Sequence, residues 1–140
     1  MRNTLRILSL TLCLGLGLVA SATAAGALEQ DYREAVKAAQ DGQMDKAIEI
    51  FTRLIGSGAD GNTKALSDLY NMRGVCHEAK SELQDALADY SKAIEIDPKS
   101  ANALGNRAFL YEKLGDKFKA KEDAVAAKRI DRKVKVPAFD

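Results

Sequence analysis

The sequence predicts an all-α protein, a solenoid of three antiparallel helix pairs. Apolar residues recur at helical spacing from residue 27 onward, without the strict alternation that a half-buried strand requires. The pattern also repeats every 34 residues, because residues 28–61, 67–100 and 101–134 align without gaps, with five residues between the first two units. One helix pair cannot bury its own apolar face, so about three stacked pairs are needed for a stable fold.

The first segment, residues 1–24, has the order of a secretory signal peptide. Two arginines precede an apolar run over residues 7–20, and small residues at 22–24 form a cleavage site. The alternative is an uncleaved anchor, but the run has 14 residues and a spanning helix needs about 20. The cleavage site resembles bacterial export signals. We therefore expect a periplasmic or secreted protein whose mature domain comprises residues 25–140.

The helices are bounded by glycine, serine and proline signals. Gly42 and Gly115 mark the turns inside the first and third pairs, where a left-handed residue is favoured after a helix. Ser81 replaces glycine in the second pair, and together with Gln84 it predicts a capping box at the start of the next helix. Asp97-Pro98 ends the fourth helix, because proline cannot continue it. The predicted helices are 27–40, 43–56, 62–80, 83–96, 100–114 and 117–130.

Small and large residues alternate within the central unit as two packed helices require. Gly74 and Ala86 are small where the helices approach, and Tyr90 is large where their crossing leaves a gap. Together with Pro98 near the end of the unit, this order resembles the tetratricopeptide repeat. The resemblance covers three repeats and nearly everything after residue 27. It implies a right-handed superhelix that works as an interaction scaffold, without a catalytic residue or a cofactor.

The resemblance also implies a concave groove, lined by positions 2, 5, 9 and 12 of each repeat. We expect an extended peptide or a helix of a protein partner in this groove, with an apolar anchor at Val75 and Phe109. Gly105 predicts open space beside the Phe109 ring, although Phe109 could instead pack against its neighbours and only stabilise the stack. No Lys or Arg occupies the positions that would form a clamp for a C-terminal carboxylate. The predicted groove residues are Tyr32, Val36, Asn71, Val75, Glu78, Asn102, Phe109 and Glu112.

Two charged positions change together along the repeats. Position 7 is Arg73 in the second repeat and Arg107 in the third, and position 23 is Asp89 and then Asp123. The first repeat has Glu34 and Ile50 at these positions, so the arginine and the aspartate are absent together. We predict two partly buried ion pairs, Arg73–Asp89 and Arg107–Asp123. The alternatives are that Arg107 reaches back to Asp89, or that all four charges are solvated.

The composition disfavours catalysis and nucleic-acid binding. The mature chain has 19 basic and 20 acidic residues, one histidine and one cysteine, and it contains no phosphate-binding loop, dinucleotide fingerprint or metalloprotease motif. We predict that His77 and Cys76 are packing residues and that no metal is bound. A nucleic-acid partner is not expected, and a membrane contact is expected only through an uncleaved signal segment.

The last repeat predicts the end of the array. Lys121 and Lys128 stand where the central repeat has Leu87 and Ile94, and polar terminal repeats are typical of array ends. No further helix is expected after it. Residues 117–135 carry 8 basic and 3 acidic side chains, which indicates either a solvated cap or a basic end that meets an acidic partner or an anionic polymer.

The function predicted from these features is that of a non-catalytic, monomeric interaction module. It would act as a scaffold or assembly adaptor for an envelope protein. The alternative is a self-associating structural protein of the cell envelope.

Overall fold

A computed structural model describes residues 26–57 and 61–139 of the chain. These residues form six helices and no strand, which confirms the all-α prediction. From the C-terminal end of the first helix onward, every helix boundary lies within one residue of its predicted position. The predicted signal peptide lies outside the described residues, so its cleavage stays a prediction. The helices are α1 (26–40), α2 (Met44–Gly56), α3 (Thr63–Ala79), α4 (Leu83–Ile96), α5 (Ala101–Lys113) and α6 (Lys117–Ile130).

The helices stack in sequence, each first helix contacting its own partner and the neighbouring repeats. Helix α3 packs against α2, α4 and α5, and α5 packs against α4 and α6. The largest cluster of buried apolar residues joins α1, α2 and α3, so the first repeat shares its core with the second. Its members are Ala35, Ala38, Ala47, Ile50, Phe51, Leu54, Leu69 and Cys76.

Close approach inside the central pair depends on a glycine. The Tyr90 ring of α4 is 1% exposed and lies against Gly74 of α3. A Cβ on Gly74 would stand 2.8 Å from Tyr90 Cε1, closer than carbon atoms approach without displacement. The small and large residues therefore complement one another as their spacing predicts.

The turn of the central repeat corrects one sequence prediction. Ser81 does not start α4, whose N-cap is Glu82 without a side-chain capping bond. Ser81 instead takes the left-handed conformation, with φ of 64°, as Gly42 and Gly115 do at 77° and 85°. The capping box was wrong because the geometry of this short connection requires a left-handed residue at position 15 of each repeat, whatever residue stands there.

The segment after α6 caps the open end of the stack. Residues 131–139 are not helical, in agreement with the sequence prediction, but Val134 and Pro137 are buried. Val134 packs in a cluster with Leu104 and Ala127. Lys128 Nζ donates to the carbonyl oxygens of Arg132 and Val134 at 3.0 and 2.5 Å. We call residues 131–139 the C-terminal strap.

Candidate functional site

A depression between α3 and α5 is the site that the groove prediction points to. Val75 and Phe109 occupy position 9 of their repeats and remain 41% and 40% exposed. Both side chains line one depression of ≈ 530 Å³. Exposed large apolar side chains that share a concave surface are typical of binding sites. The other lining residues are Glu78, Ala79, Tyr90, Asn106 and Lys113.

The floor of the depression carries a neutral donor, and its rim carries one charge of each sign. The Tyr90 hydroxyl donates to Glu78 Oε2 at 3.0 Å. Burial, reinforced by the nearby Glu78 carboxylate, raises the pKa of Tyr90 far above its usual range. The hydroxyl therefore stays protonated. Lys113 Nζ lies 4.0 Å from Glu78 Oε1, so the depression carries an acid and a base beside its apolar side chains.

Two groove predictions are wrong at position 5. Asn71 is 7% exposed and accepts a hydrogen bond from Asn106 at 2.9 Å, so it joins α3 to α5. Gly105 is buried, and no open space lies beside it. A Cβ on Gly105 would stand 2.6 Å from the Lys135 carbonyl oxygen. Position 5 therefore faces the next element of the stack, which is α5 for Asn71 and the C-terminal strap for Gly105.

The remaining predicted groove residues lie outside the depression. Tyr32 is 37% exposed and packs edge-to-face on Phe51, with ring centroids 6.4 Å apart. Val36 is half-buried against the first core cluster. Asn102 and Glu112 are exposed on α5. Of the eight predicted residues, the depression brings together Val75, Glu78 and Phe109.

Both predicted ion pairs form, and each is a bidentate contact that joins the two helices of its repeat. Arg73 donates from Nε and Nη2 to the two carboxylate oxygens of Asp89, at 2.8 and 2.7 Å. Arg107 does the same to Asp123, at 2.6 and 2.9 Å. Both aspartates are buried. Arg107 therefore meets Asp123 of its own repeat and not Asp89.

Each of the two ion pairs has a third member that was not predicted from the sequence. Arg73 Nη1 also donates to Thr52 Oγ1 at 3.0 Å, and Arg107 Nη1 to Ser91 Oγ at 3.2 Å. Thr52 and Ser91 both stand at position 25 of the preceding repeat. Val125 replaces the hydroxyl in the last repeat, after which no further repeat follows within the described residues. That coincidence is the sequence signal that would have identified the cluster.

His77 and Cys76 lie beside these contacts. His77 Nδ1 is 2.7 Å from Glu82 Oε2, and Nε2 is 3.8 Å from Asp89 Oδ2. One atom each of His77, Glu82 and Asp85 lie within 4.8 Å of one another, but Lys80 Nζ already pairs with Glu82 at 2.5 Å. Cys76 is 1% exposed, and burial raises the pKa of its thiol, which disfavours the reactive thiolate.

Across residues 26–57 and 61–139, no helix has both the length and the apolar character of a membrane span.

Comparison with known proteins identifies the repeats. A family model described as a TPR repeat matches residues 79–115, and one described as a tetratricopeptide repeat matches residues 101–134. The chain belongs to the tetratricopeptide repeat family. The second match has the same bounds as the third unit seen in the sequence.

This tetratricopeptide repeat chain is 33% identical over 96 residues to the protein unc-45 homolog B of Danio rerio. The alignment covers 69% of the chain and 10% of that relative, so the chain spans a small part of the relative's length.

The solved structures that share the fold include two with a bound peptide. The type III secretion chaperone SycD of Yersinia enterocolitica, in complex with a peptide of the translocator YopD, has a TM-score of 0.65 at 22% identity. The match covers 76% of this chain and 78% of SycD. The first tetratricopeptide repeat domain of Spaghetti (RPAP3), bound to an HSP90 peptide, has a TM-score of 0.66 at 17% identity. That match covers 76% of this chain and 80% of the domain.

Proposed function

We propose that the protein is a non-catalytic interaction module whose groove binds an extended peptide of a partner protein. The observation that carries this proposal is the exposure of Val75 and Phe109 to about equal extents, 41% and 40%, in one depression. Large apolar side chains in a concave, mostly preformed site are typical binding anchors. Two of the structural neighbours were solved with a peptide bound, which supports the same role for this groove.

The polar groups of the depression suit a peptide backbone. Tyr90 and Glu78 are already bonded to one another, so Glu78 keeps one carboxylate oxygen for a backbone N–H. Lys113 Nζ lies 4.0 Å from that free oxygen and offers a donor beside it. A bound segment with an apolar side chain between Val75 and Phe109 would therefore have both a donor and an acceptor within reach.

The proposed setting is the bacterial cell envelope, where the module would act as a scaffold or assembly adaptor. Its support is the order of residues 1–24, with basic, apolar and small segments in succession. Mass analysis of the protein purified from its native source should show a chain that begins near Ala25. A chain that retains Met1 and stays in the membrane fraction would contradict export.

Site-specific photocrosslinking tests the groove. A photoreactive phenylalanine analogue replaces Ala79, which lines the depression, or Ala88, which is exposed on α4 outside it. The proposal predicts a discrete crosslinked protein from position 79 and none at the same size from position 88. A synthetic peptide that covers the crosslinked segment should then bind the free protein in calorimetry. Equal crosslinking from both positions, or a peptide that does not bind, would contradict the groove.

A further inference from the structure

We propose that the outward face of α6 is a second docking surface and binds an acidic amphipathic helix of a partner protein. We call this surface the α6 face. Its lining residues belong to α6 alone, whereas the groove depression is lined from α3, α4 and α5. The two sites are therefore separate. The α6 face encloses a shallow depression of ≈ 350 Å³ lined by Phe118, Lys121, Glu122, Val125, Ala126 and Arg129.

The apolar part of the α6 face is unusually exposed. Phe118 is 74% exposed, the highest value among the large apolar side chains of the described residues, and Val125 is 43% exposed. The two residues stand seven apart, which is two helical turns or about 10 Å along the axis. The buried residues of α6, such as Ala120 and Ala127, lie on its opposite side. The last helix is therefore not a wholly polar cap, in contrast to what Lys121 and Lys128 suggest.

The apolar pair of the α6 face has no counterpart in the interior repeats. Position 18 is Asp45 in α2 and Gln84 in α4, and both are exposed. Position 25 is Thr52 in α2 and Ser91 in α4, and each accepts a hydrogen bond from the arginine of the next repeat. In α6 the same two positions are Phe118 and Val125, and valine offers no acceptor for an arginine. A partner side chain that meets this pair is accordingly apolar.

The charges of the α6 face indicate that the helix is acidic. Lys121 and Arg129 stand one turn before and one turn after Val125, and within the described residues neither has a carboxylate within 4.0 Å. Residues 117–135 carry 8 basic and 3 acidic side chains, whereas residues 25–116 carry 11 basic and 16 acidic ones. Carboxylates that flank an apolar residue on the partner helix would thus meet two unpaired cations.

A protein helix fits these observations better than an anionic membrane. Glu122 lies within the α6 face between Phe118 and Val125, where a negatively charged bilayer surface would repel it. A helix can place a basic residue opposite Glu122 and keep carboxylates opposite Lys121 and Arg129. The apolar stripe is also one residue wide, which matches the narrow seam between two helices.

Fluorescence anisotropy tests the proposal on the purified full chain. The probe is a labelled 18-residue helical peptide with leucines at i, i+4, i+7 and i+11 and glutamates on its flanks. We expect micromolar binding that falls about tenfold for Phe118→Ser, as for an interface anchor, and also for Lys121→Glu. The matched controls are Tyr32→Ser, another exposed aromatic, and Lys99→Glu, the same charge change on an exposed loop. They should change the affinity less than twofold.

Each other outcome contradicts the proposal. Phe118 is largely exposed, so Phe118→Ser should keep the wild-type thermal midpoint, and unchanged peptide affinity in this folded variant would exclude the α6 face. The absence of peptide binding at concentrations 100-fold above the expected micromolar dissociation constant would exclude the helix. Binding of vesicles that contain phosphatidylglycerol, lost in Phe118→Ser while the peptide does not bind, would assign the face to a membrane. Phe109→Ala should leave peptide binding unchanged, which separates this test from that of the groove.

Discussion

The guanidinium of Arg73 and the carboxylate of Asp89 face one another through two parallel hydrogen bonds of 2.8 and 2.7 Å. The side chains are only 19% and 8% exposed. The hydrogen bonds to Asp89 raise the pKa of Arg73, so the arginine stays charged. With Thr52 on its remaining nitrogen, Arg73 joins three helices from two repeats.

Removal of the carboxylate should be strongly destabilising. We expect Asp89→Ala to lower the free energy of unfolding by about 3–5 kcal/mol, because Arg73 would remain buried without its partner. Asp85→Ala, on the exposed side of the same helix, should change it by about 0.5 kcal/mol or less. Urea unfolding measures both variants. Coincident midpoints would mean that the ion pair has no net effect on stability.

The C-terminal strap makes the effect of Gly105→Ala depend on chain length. In the full chain the new Cβ would stand 2.6 Å from the Lys135 carbonyl oxygen, and we expect a loss of about 1–3 kcal/mol. In a chain that ends at Asp131, the same change should stabilise by about 1 kcal/mol, because alanine is the better helix former. Thermal unfolding of the four proteins compares the two backgrounds. The same sign in both would show that the strap does not cover α5.

Ser81→Gly should stabilise the protein. A non-glycine residue at φ of 64° is strained by about 1–2 kcal/mol, and the entropy that glycine adds to the unfolded chain offsets about 0.4–1 kcal/mol of this strain. We expect a net gain of about 0.5–1 kcal/mol in chemical unfolding. Ser57→Gly is the control, because Ser57 ends α2 at φ of −75° and gains nothing from glycine. A loss of stability in Ser81→Gly would contradict the left-handed turn.

Phe109→Ala should separate binding from folding. Phe109 is 40% exposed, so its truncation should cost less than the about 3–5 kcal/mol expected for a buried phenylalanine. The affinity for the groove peptide should fall by about 2 kcal/mol, roughly 30-fold. Phe51→Ala is the matched control, because Phe51 is fully buried and should show the large stability loss. If Phe109→Ala unfolds as readily as Phe51→Ala, Phe109 is a packing residue.

Tyr90 should make the fold sensitive to alkaline pH. Its pKa is raised in the folded state, first by burial and then by Glu78. A raised pKa adds stability below the unfolded pKa of about 10, and this stability is lost as the pH rises through and above that value. The free energy of unfolding should therefore fall more steeply between about pH 9.5 and 11 in the wild type than in Tyr90→Phe. Parallel pH profiles would contradict the buried neutral hydroxyl.

The helices and their pairing follow from the sequence because their determinants are local. Gly74 and Tyr90 complement each other within one repeat, and Arg73 and Asp89 recur at the same spacing as Arg107 and Asp123. A helix presents residues three and four apart on one face, so the register of a repeat predicts which of its own residues meet. Val75 and Phe109, both at position 9, could be assigned to one surface for the same reason.

What only the tertiary structure decided is which element covers each face. Helical periodicity places Asn71 and Gly105 on the same side of their helices, but not whether that side meets solvent or another segment. Stacking buries Asn71 under α5, and the strap, which has no repeat pattern of its own, buries Gly105. These outcomes depend on contacts between segments distant in sequence, and local spacing carries no information about them.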